Sequence, residues 1–426
     1  MSELAVILGD SVAGTLTRLP GGRLRFDYAD DYRAGTPLSL SMPVQVRSHP
    51  NGVVTPWLWG LLPDNEAVLR RWAREFHASA TSPFSMLATP VGEDCAGAVR
   101  FAKPDELDRV LGRSGTVTWL DEHGVAARLR ELQEDATTWL GRTFTGQFSL
   151  AGAQAKTALL HSGDRWGVPS GATPTTHILK PAVAGLDDHD LNEHLCLDAA
   201  RRAGLTAART SVSSFDDETA VVVTRYDRIE RDGSIVRVHQ EDLCQALSVR
   251  PDRKYENEGG PGVERIAALL RDVMPAKESA TAVRRLADAL IWNWLIAGTD
   301  AHAKNYSLLL AGDQVRLAPL YDVASALPYP ELHVRRLRFA MKLGGDYRVD
   351  LWHNPWPRAA RELRLDSSEL LARVDDLARR APDAFADAAR DPQVTALARP
   401  LPAALTGLVA DRAERCRELL TRDPLS

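Results

Sequence analysis

Apolar and polar positions alternate along this chain in two rhythms, and the change between them organises it. Over the first hundred residues the rhythm is short. Ala5-Val6-Ile7-Leu8, Ala13-Gly14-Thr15-Leu16 and Leu24-Arg25-Phe26-Asp27-Tyr28 are brief apolar or alternating runs, with a Pro20-Gly21-Gly22 turn between the last two. Leu38-Ser39-Leu40-Ser41-Met42 also alternates, which predicts a half-buried strand. Gly60-Leu61-Leu62-Pro63-Asp64-Asn65 leads into a helix over 66–76, capped by Asp64 or Asn65. Residues 95–102 are expected to close the sheet. From Lys103 to about Thr138 the chain is charged and glycine-interrupted, which predicts a connector, helical over 125–132.

Further on the runs lengthen. Thr176-His177-Ile178-Leu179-Lys180-Pro181 reads as a strand ending in a lysine, and a helix over 191–203 is stopped by Gly204. Strands follow near 210–215 and 219–226, around an Asp216-Asp217-Glu218 turn; Val221-Val222-Val223-Thr224 is apolar enough for a buried strand. Gln240-Glu241-Asp242 opens a helix, and 254–262 is an exposed loop. In 285–297, Leu286, Leu290, Trp294 and Leu295 recur at helical spacing, and Gly298 ends that helix. A hairpin of 306–310 and 315–320 turns at Ala311-Gly312-Asp313-Gln314. The remainder is helical, with amphipathic segments at 374–381 and 402–420. No internal repeat is evident.

Composition narrows the function classes. The chain has 426 residues, enough for two or three domains, with 44% hydrophobic and 26% charged positions. A net charge of -5 gives no general pull toward nucleic acid or anionic membrane. Cys95, Cys196, Cys244 and Cys416 form no C-x-x-C pair, which argues against a zinc site or disulfide framework and suits a reducing cytosol. Neither a signal peptide nor a membrane-spanning run is evident, so a cytoplasmic protein is expected.

The chemistry-bearing stretch is Gly298-Thr299-Asp300-Ala301-His302-Ala303-Lys304-Asn305, with Tyr321-Asp322 behind it. Asp300 and Asn305 stand as D-x-x-x-x-N, the spacing of a protein-kinase catalytic loop. A helix before it and a hairpin to a second aspartate after it can gather three polar groups at one metal–phosphate centre; the same stretch also reads as a helix C-terminus followed by a solvated polar loop. One carboxylate deprotonates a hydroxyl, while an amide oxygen and the second carboxylate hold Mg²⁺ on ATP. Small residues in Ser149-Leu150-Ala151-Gly152-Ala153-Gln154-Ala155-Lys156 let backbone amides approach a ligand, as phosphate-cradling loops do, or make a tight turn. Lys180 reads either as a surface lysine or as a strand lysine that reaches phosphates. Glu193 reads either as its partner or as a first-turn residue favoured by the helix dipole.

Taken together, F-S-L-A-G-A-Q-A-K-T-A-L-L (148–160), H-I-L-K-P (177–181), N-E-H-L-C-L-D-A-A-R-R-A-G-L (192–205), R-Y-D-R (225–228), Q-E-D-L-C-Q-A-L (240–247), K-Y-E-N-E-G-G-P-G (254–262), G-T-D-A-H-A-K-N-Y-S (298–307) and L-Y-D-V-A-S-A (320–326) resemble the HipA family of bacterial serine/threonine kinases. These are the toxins of HipBA toxin–antitoxin pairs. L-S-L-S-M-P (38–43) and G-L-L-P-D-N-E (60–66) look like that family's N-terminal subdomain.

The resemblance implies an α+β, two-lobed protein-kinase-like fold with an N-terminal β-rich subdomain and a mostly α-helical C-terminal lobe. It implies a HipA-like subdomain over 1–102, a connector over 103–140, an ATP-binding region over 141–238 and a helical lobe over 239–426. Asp300 would be the catalytic base, and Asn305 and Asp322 would hold Mg²⁺. Lys180 would contact ATP phosphates and Ala151, Gly152, Ala153, Gln154 and Lys156 would cover them, with His302 beside. Backbone at Thr224 and Tyr226 would form the adenine hinge, and Ser149 stands at the family's autophosphorylated serine. The implied partners are a HipB-like DNA-binding antitoxin, DNA only through it, and a protein acceptor of the translation apparatus such as an aminoacyl-tRNA synthetase. Thr224 replaces an acidic residue of some relatives, and Ala301 a common glycine. A pseudokinase-like co-repressor scaffold and a small-molecule kinase are the competing readings.

Overall fold

The computed structural model of the chain describes residues 2–32, 35–112, 115–143 and 145–422. They divide into two compact units. Unit one is Met1–Pro181, Ser214–Asp252 and Ser307–Val315; unit two is Ala182–Ser213, Arg253–Tyr306 and Arg316–Ser426.

Unit one begins with β1 (Ser2–Leu8), β2 (Ser11–Arg18), β3 (Leu24–Tyr28) and β4 (Ser48–His49). Helices α1 (Asn51–Gly60), α2 (Glu66–Glu75) and α3 (Pro83–Leu87) follow, then β5 (Val99–Ala102), α4 (Leu107–Leu111), β6 (Gly115–Leu120) and α5 (Glu122–Glu134). Strands β7 (Thr157–Ser162), β8 (Arg165–Gly171) and β9 (His177–Pro181) come next. After α6 (His189–Arg202) in unit two, β10 (Thr210–Phe215) leads back to β11 (Glu218–Thr224), β12 (Arg228–Arg231), β13 (Ser234–Arg237), β14 (His239–Asp242) and α7 (Leu243–Ala246). Unit two then carries α8 (Val263–Val273) and α9 (Ala276–Leu295), before β15 (Ser307–Ala311) and β16 (Gln314–Leu317). It ends with β17 (Arg338–Leu343), β18 (Asp346–Arg348), α10 (Trp356–Leu363), α11 (Ser367–Ala389), α12 (Pro392–Thr395) and α13 (Leu401–Leu420).

The five-stranded sheet has the order β4-β3-β2-β1-β5, the six-stranded sheet β10-β11-β9-β7-β8-β6, and a three-stranded sheet β14-β15-β16. Glycine and proline turns delimit the strands where the alternation expects them, and β5 closes the first sheet on β1. Asn65 caps α2, accepting from the Ala67 N–H at 2.9 Å. Between Lys103 and Thr138 lie α4, α5 and β6, which pairs with β8 over Gly115–Leu120. Phe148, Leu150 and Ala158 share one apolar core with Leu4, Phe26, Trp57 and Trp72. The first hundred residues and the stretch around Ser149 therefore bury their apolar surface together, which favours folding them as one body.

Three local expectations are corrected. Leu38–Met42 is a turn, not a strand: the Met42 N–H donates to the Ser39 carbonyl at 2.9 Å, and the Ser39 and Ser41 hydroxyls donate to the Gln245 carbonyl. Serine side chains offered the backbone an alternative to the ladder. Gln240 and Glu241 lie in β14, paired with Leu309 and Leu308, so cross-strand bonding overrides helix formation until Asp242 caps the single turn of α7. At the end of α9 the left-handed residue is Ala297, with φ of 52°. Gly298 is required by space instead, because a Cβ there would stand 2.3 Å from Asn293 Oδ1. Helix α1, with Pro56 in it, is an element the periodicity did not reveal.

Unit one also buries a charge network. The Asp94 carboxylate meets Arg228 at 2.9 Å, Arg237 at 3.2 Å and Arg225 at 3.5 Å, and accepts from the Thr175 hydroxyl at 2.6 Å. Burial opposes its ionisation, but Arg228, Arg225 and Arg237 hold the carboxyl well below the ordinary carboxylate range. Arg225 in turn grips Asp227 with two bonds of 2.8 and 3.0 Å, a fork geometry that fixes the chain on either side of Tyr226. Among the described residues no helix is long and apolar enough to cross a membrane.

Candidate functional site

In unit two, the chain leaving α9 is sewn down before it reaches Asp300. The Gly298 N–H donates to the Asn293 carbonyl at 2.8 Å, Ser325 Oγ donates to the Ile296 carbonyl at 2.6 Å, and the Ala340 N–H of β17 donates to the Thr299 carbonyl at 3.1 Å. Ser325 is itself clasped by Asn192 of α6, which accepts from its N–H at 3.0 Å and donates to its carbonyl at 2.8 Å. The backbone leading into the loop is thus held from three directions, so its path need not be ordered by ligand.

Asp300, His302 and Asn305 are brought together within this loop. The Asp300 carbonyl accepts from the His302 N–H at 2.8 Å and from Asn305 Nδ2 at 2.8 Å. His302 Nε2 lies 3.8 Å from Asp300 Oδ1, with its ring buried. The Tyr255 hydroxyl donates to Asp300 Oδ1 at 2.6 Å, and its ring meets His302 edge-on at 5.1 Å. Asp322 is tied in through its neighbour, since the Tyr321 hydroxyl donates to the Lys304 carbonyl at 2.7 Å. Asp322 adopts φ of 56°, a conformation aspartate tolerates better than most residues.

These residues suit a hard cation. With Nδ2 committed to Asp300, the orientation of the Asn305 amide is set and its oxygen is the group left to offer a ligand. An amide oxygen with a carboxylate is the donor chemistry that Mg²⁺ takes.

The other predicted residues lie in unit one. Ser149 is fully buried, donating from Oγ to the Leu61 carbonyl at 2.7 Å and from N–H to the Asp94 carbonyl at 3.0 Å. The loop after it is held at Gly152, whose carbonyl accepts from the Asp64 N–H at 3.0 Å and whose φ of 102° favours glycine. Lys156 closes the loop, donating to the Ala151 carbonyl at 3.2 Å with its ammonium 4.2 Å from the Trp139 ring centroid. Ala153 is exposed, and Gln154 Nε2 is a buried donor that meets no acceptor among the described residues. An orphaned donor beside main-chain amides fits an anionic ligand. Lys180 sits on β9 opposite Val221, and Thr224 ends β11 opposite His177, with both strands in one ladder. Lys180 is buried, which excludes the surface reading of that lysine. The Tyr226 hydroxyl donates to Gln240, so side-chain bonding pins that residue beside the Arg225–Asp227 fork.

Sequence reasoning missed Tyr255, Asn192, Asp94 and Arg225 as residues with individual tasks. For Tyr255, Asn192 and Arg225 the signal was present in K-Y-E-N-E, N-E-H and R-Y-D-R, but nothing local tells which residue each would hold; Asp94 stands in none of these motifs.

Comparison with known proteins gives the family. Residues 148–385 match the model of the HipA-like C-terminal domain, and residues 4–102 that of the HipA N-terminal domain. A putative kinase, Y4mE, from Sinorhizobium fredii is 34% identical over 78% of this chain and 79% of its own. The serine/threonine-protein kinase toxin HipA of Shewanella oneidensis is 26% identical over 90% of this chain and 88% of its own. In structure, the chain matches Shewanella oneidensis MR-1 HipA, solved with HipB and its operator DNA, with a TM-score of 0.83 over 98% of both chains at 23% identity. That likeness shows the fold, the two-lobed kinase-like α+β architecture.

Proposed function

Since this chain belongs to the HipA family of serine/threonine protein kinases, we propose that it is an ATP- and Mg²⁺-dependent enzyme that phosphorylates a serine or threonine of a cellular protein, acts as the toxin of a toxin–antitoxin module, and phosphorylates itself at Ser149. The observation that carries the reading is the catalytic loop: Asp300, His302 and Asn305 joined by main-chain and side-chain bonds, with Tyr321-Asp322 anchored on Lys304. A scaffold has no physical need of a carboxylate fixed this way.

Each residue then has a role. Asp300 accepts the proton of the acceptor hydroxyl, and its neighbours fix where the carboxylate stands. Asn305 and Asp322 supply oxygen ligands to the metal. Lys180 and the amides of 151–156 meet the phosphates, and main-chain groups at Thr224 and Tyr226 meet the adenine edge. His302 lines the phosphate side. Bound Mg-ATP supplies the phosphoryl group and the metal's neutralising charge. Ser149, buried between Phe148 and Leu150, must leave the core to receive a phosphate, and two added negative charges then keep it from returning beside ATP. The partner is a HipB-like DNA-binding antitoxin, as the Shewanella assembly holds HipB and operator DNA. An acceptor in the translation apparatus, such as an aminoacyl-tRNA synthetase, completes the proposal.

The test is intact-mass measurement with peptide mapping after incubation with Mg-ATP, beside Asp300→Asn. Phosphate on Ser149 in the wild type only is the expected result. ATP binding without transfer to itself or to any protein of a cell extract would leave the co-repressor scaffold as the function.

A further inference from the structure

Tyr255 lies 45 positions before Asp300, in a loop to which the proposed chemistry gives no task, yet its hydroxyl donates to Asp300 Oδ1 at 2.6 Å. The loop is built to hold that phenol in place. The Tyr255 carbonyl accepts from the N–H groups of Glu258 and Gly260 at 3.0 and 2.9 Å. A Cβ at Gly260 would stand 2.5 Å from the Arg253 carbonyl oxygen, so only glycine lets the turn close this tightly. Glu256, the next residue, accepts from the Lys342 N–H of β17 at 2.6 Å, and β17 also bonds the Thr299 carbonyl through Ala340. The loop and the catalytic loop thus hang on one strand. His302 closes the third side, edge-on to the phenol.

The Asp300 side chain keeps 64% of its surface exposed despite the bond to Tyr255. That number separates two roles for the phenol. A plug that mimics the acceptor would cover the carboxylate; here the carboxylate stays open to an incoming hydroxyl while one oxygen is held. Holding one oxygen of an exposed aspartate before substrate arrives removes part of its ordering cost from the transition state.

We propose that Tyr255 is a positioning residue for the phosphoryl-transfer step: its hydroxyl orients the Asp300 carboxylate toward the acceptor, and the 254–262 loop exists to present it. This rests on the kinase reading above. The Tyr255→Phe variant keeps the ring and its contact with His302 and removes only the hydrogen bond. With Mg-ATP and the dephosphorylated protein as its own acceptor, the maximal rate of self-phosphorylation should fall roughly tenfold. The half-saturating ATP concentration and Tm should stay at the wild-type values, and Tyr255→Ala should fall further because the ring contact is lost too. An unchanged maximal rate, or a faster one, overturns the proposal, as does a loss confined to ATP affinity. If the wild type transfers no phosphate, the kinase reading fails, and a crystal structure of Tyr255→Phe decides the positioning claim alone. Asp300 turned to a different rotamer would uphold it, and an unmoved carboxylate would reject it.

Discussion

The phenol of Tyr321 donates to the main-chain carbonyl of Lys304 across 2.7 Å, and so couples the two segments that carry the proposed metal ligands Asn305 and Asp322. Each ligand is the immediate neighbour of a bonded residue, so loosening this contact loosens the spacing between the two segments, while Asn305 keeps its own bond to the Asp300 carbonyl. Tyr321→Phe should raise the Mg²⁺ concentration needed for half-maximal phosphorylation several-fold, with little effect at saturating metal. An unaltered metal titration would show that the ligands are held independently.

Replacing the base is the sharper change. Asp300→Asn should lower phosphoryl transfer by roughly 10²–10⁴-fold, while ATP binding by calorimetry persists. Loss of ATP binding in that variant would assign Asp300 to nucleotide rather than to the acceptor.

Ser149 gives a linked prediction. Its side chain has no exposed surface, and it donates to the Leu61 carbonyl at 2.7 Å. A phosphate cannot be housed there. After self-phosphorylation, hydrogen exchange over 148–156 should accelerate and ATP affinity should drop. Ser149→Ala should retain ATP binding at a cost of about 1 kcal/mol in stability. Equal affinity in phosphorylated and unmodified protein would remove the regulatory role.

Glu241 makes stability depend on pH. Burial, offset in part by the Leu40 N–H that it accepts at 2.7 Å, pushes its carboxyl up from 4.5 to about 8. A carboxyl raised in the folded state stabilises fully below its unfolded value and loses that contribution as pH rises toward the folded one. Glu241→Gln keeps an acceptor for Leu40 and cannot ionise. Its advantage over the wild type in denaturant titrations should therefore grow from pH 5 to pH 8, by a total on the order of 3 kcal/mol. A constant difference between the two proteins across that range would refute the burial argument.

The Asp94 network behaves in the opposite sense. Its carboxyl is held low by Arg228, Arg225 and Arg237, so its contribution is present above the ordinary aspartate range and disappears in acid. Asp94→Ala leaves three buried guanidinium groups short of a counter-charge and should destabilise unit one by roughly 3–5 kcal/mol at neutral pH. Circular-dichroism melts of wild type and variant at pH 7 would measure it.

The amino-acid sequence by itself determined what is local. Most strand and helix periods, a cap at Asp64 or Asn65 and the six-residue span from Asp300 to Asn305 depend on neighbours in the chain; apart from 38–42, 240–242 and the unforeseen α1, the elements stand in the structure much as the pattern predicts, with Asn65 as the cap. The tertiary structure alone decided which distant groups serve the site. Asn192 holds Ser325 across 133 positions, Tyr255 meets Asp300 across 45, and Lys180 is buried rather than solvated. The same distinction explains the corrected elements. Leu38–Met42 alternates like a strand, but its serines and the Leu40 N–H find partners at Gln245 and Glu241, some two hundred residues away. Gly298 reads as a helix stop, yet it is glycine because Asn293 stands where its side chain would be. A hydrogen bond between remote residues has no period and no fixed spacing, so no pattern along the chain can encode it; only packing brings the partners within reach.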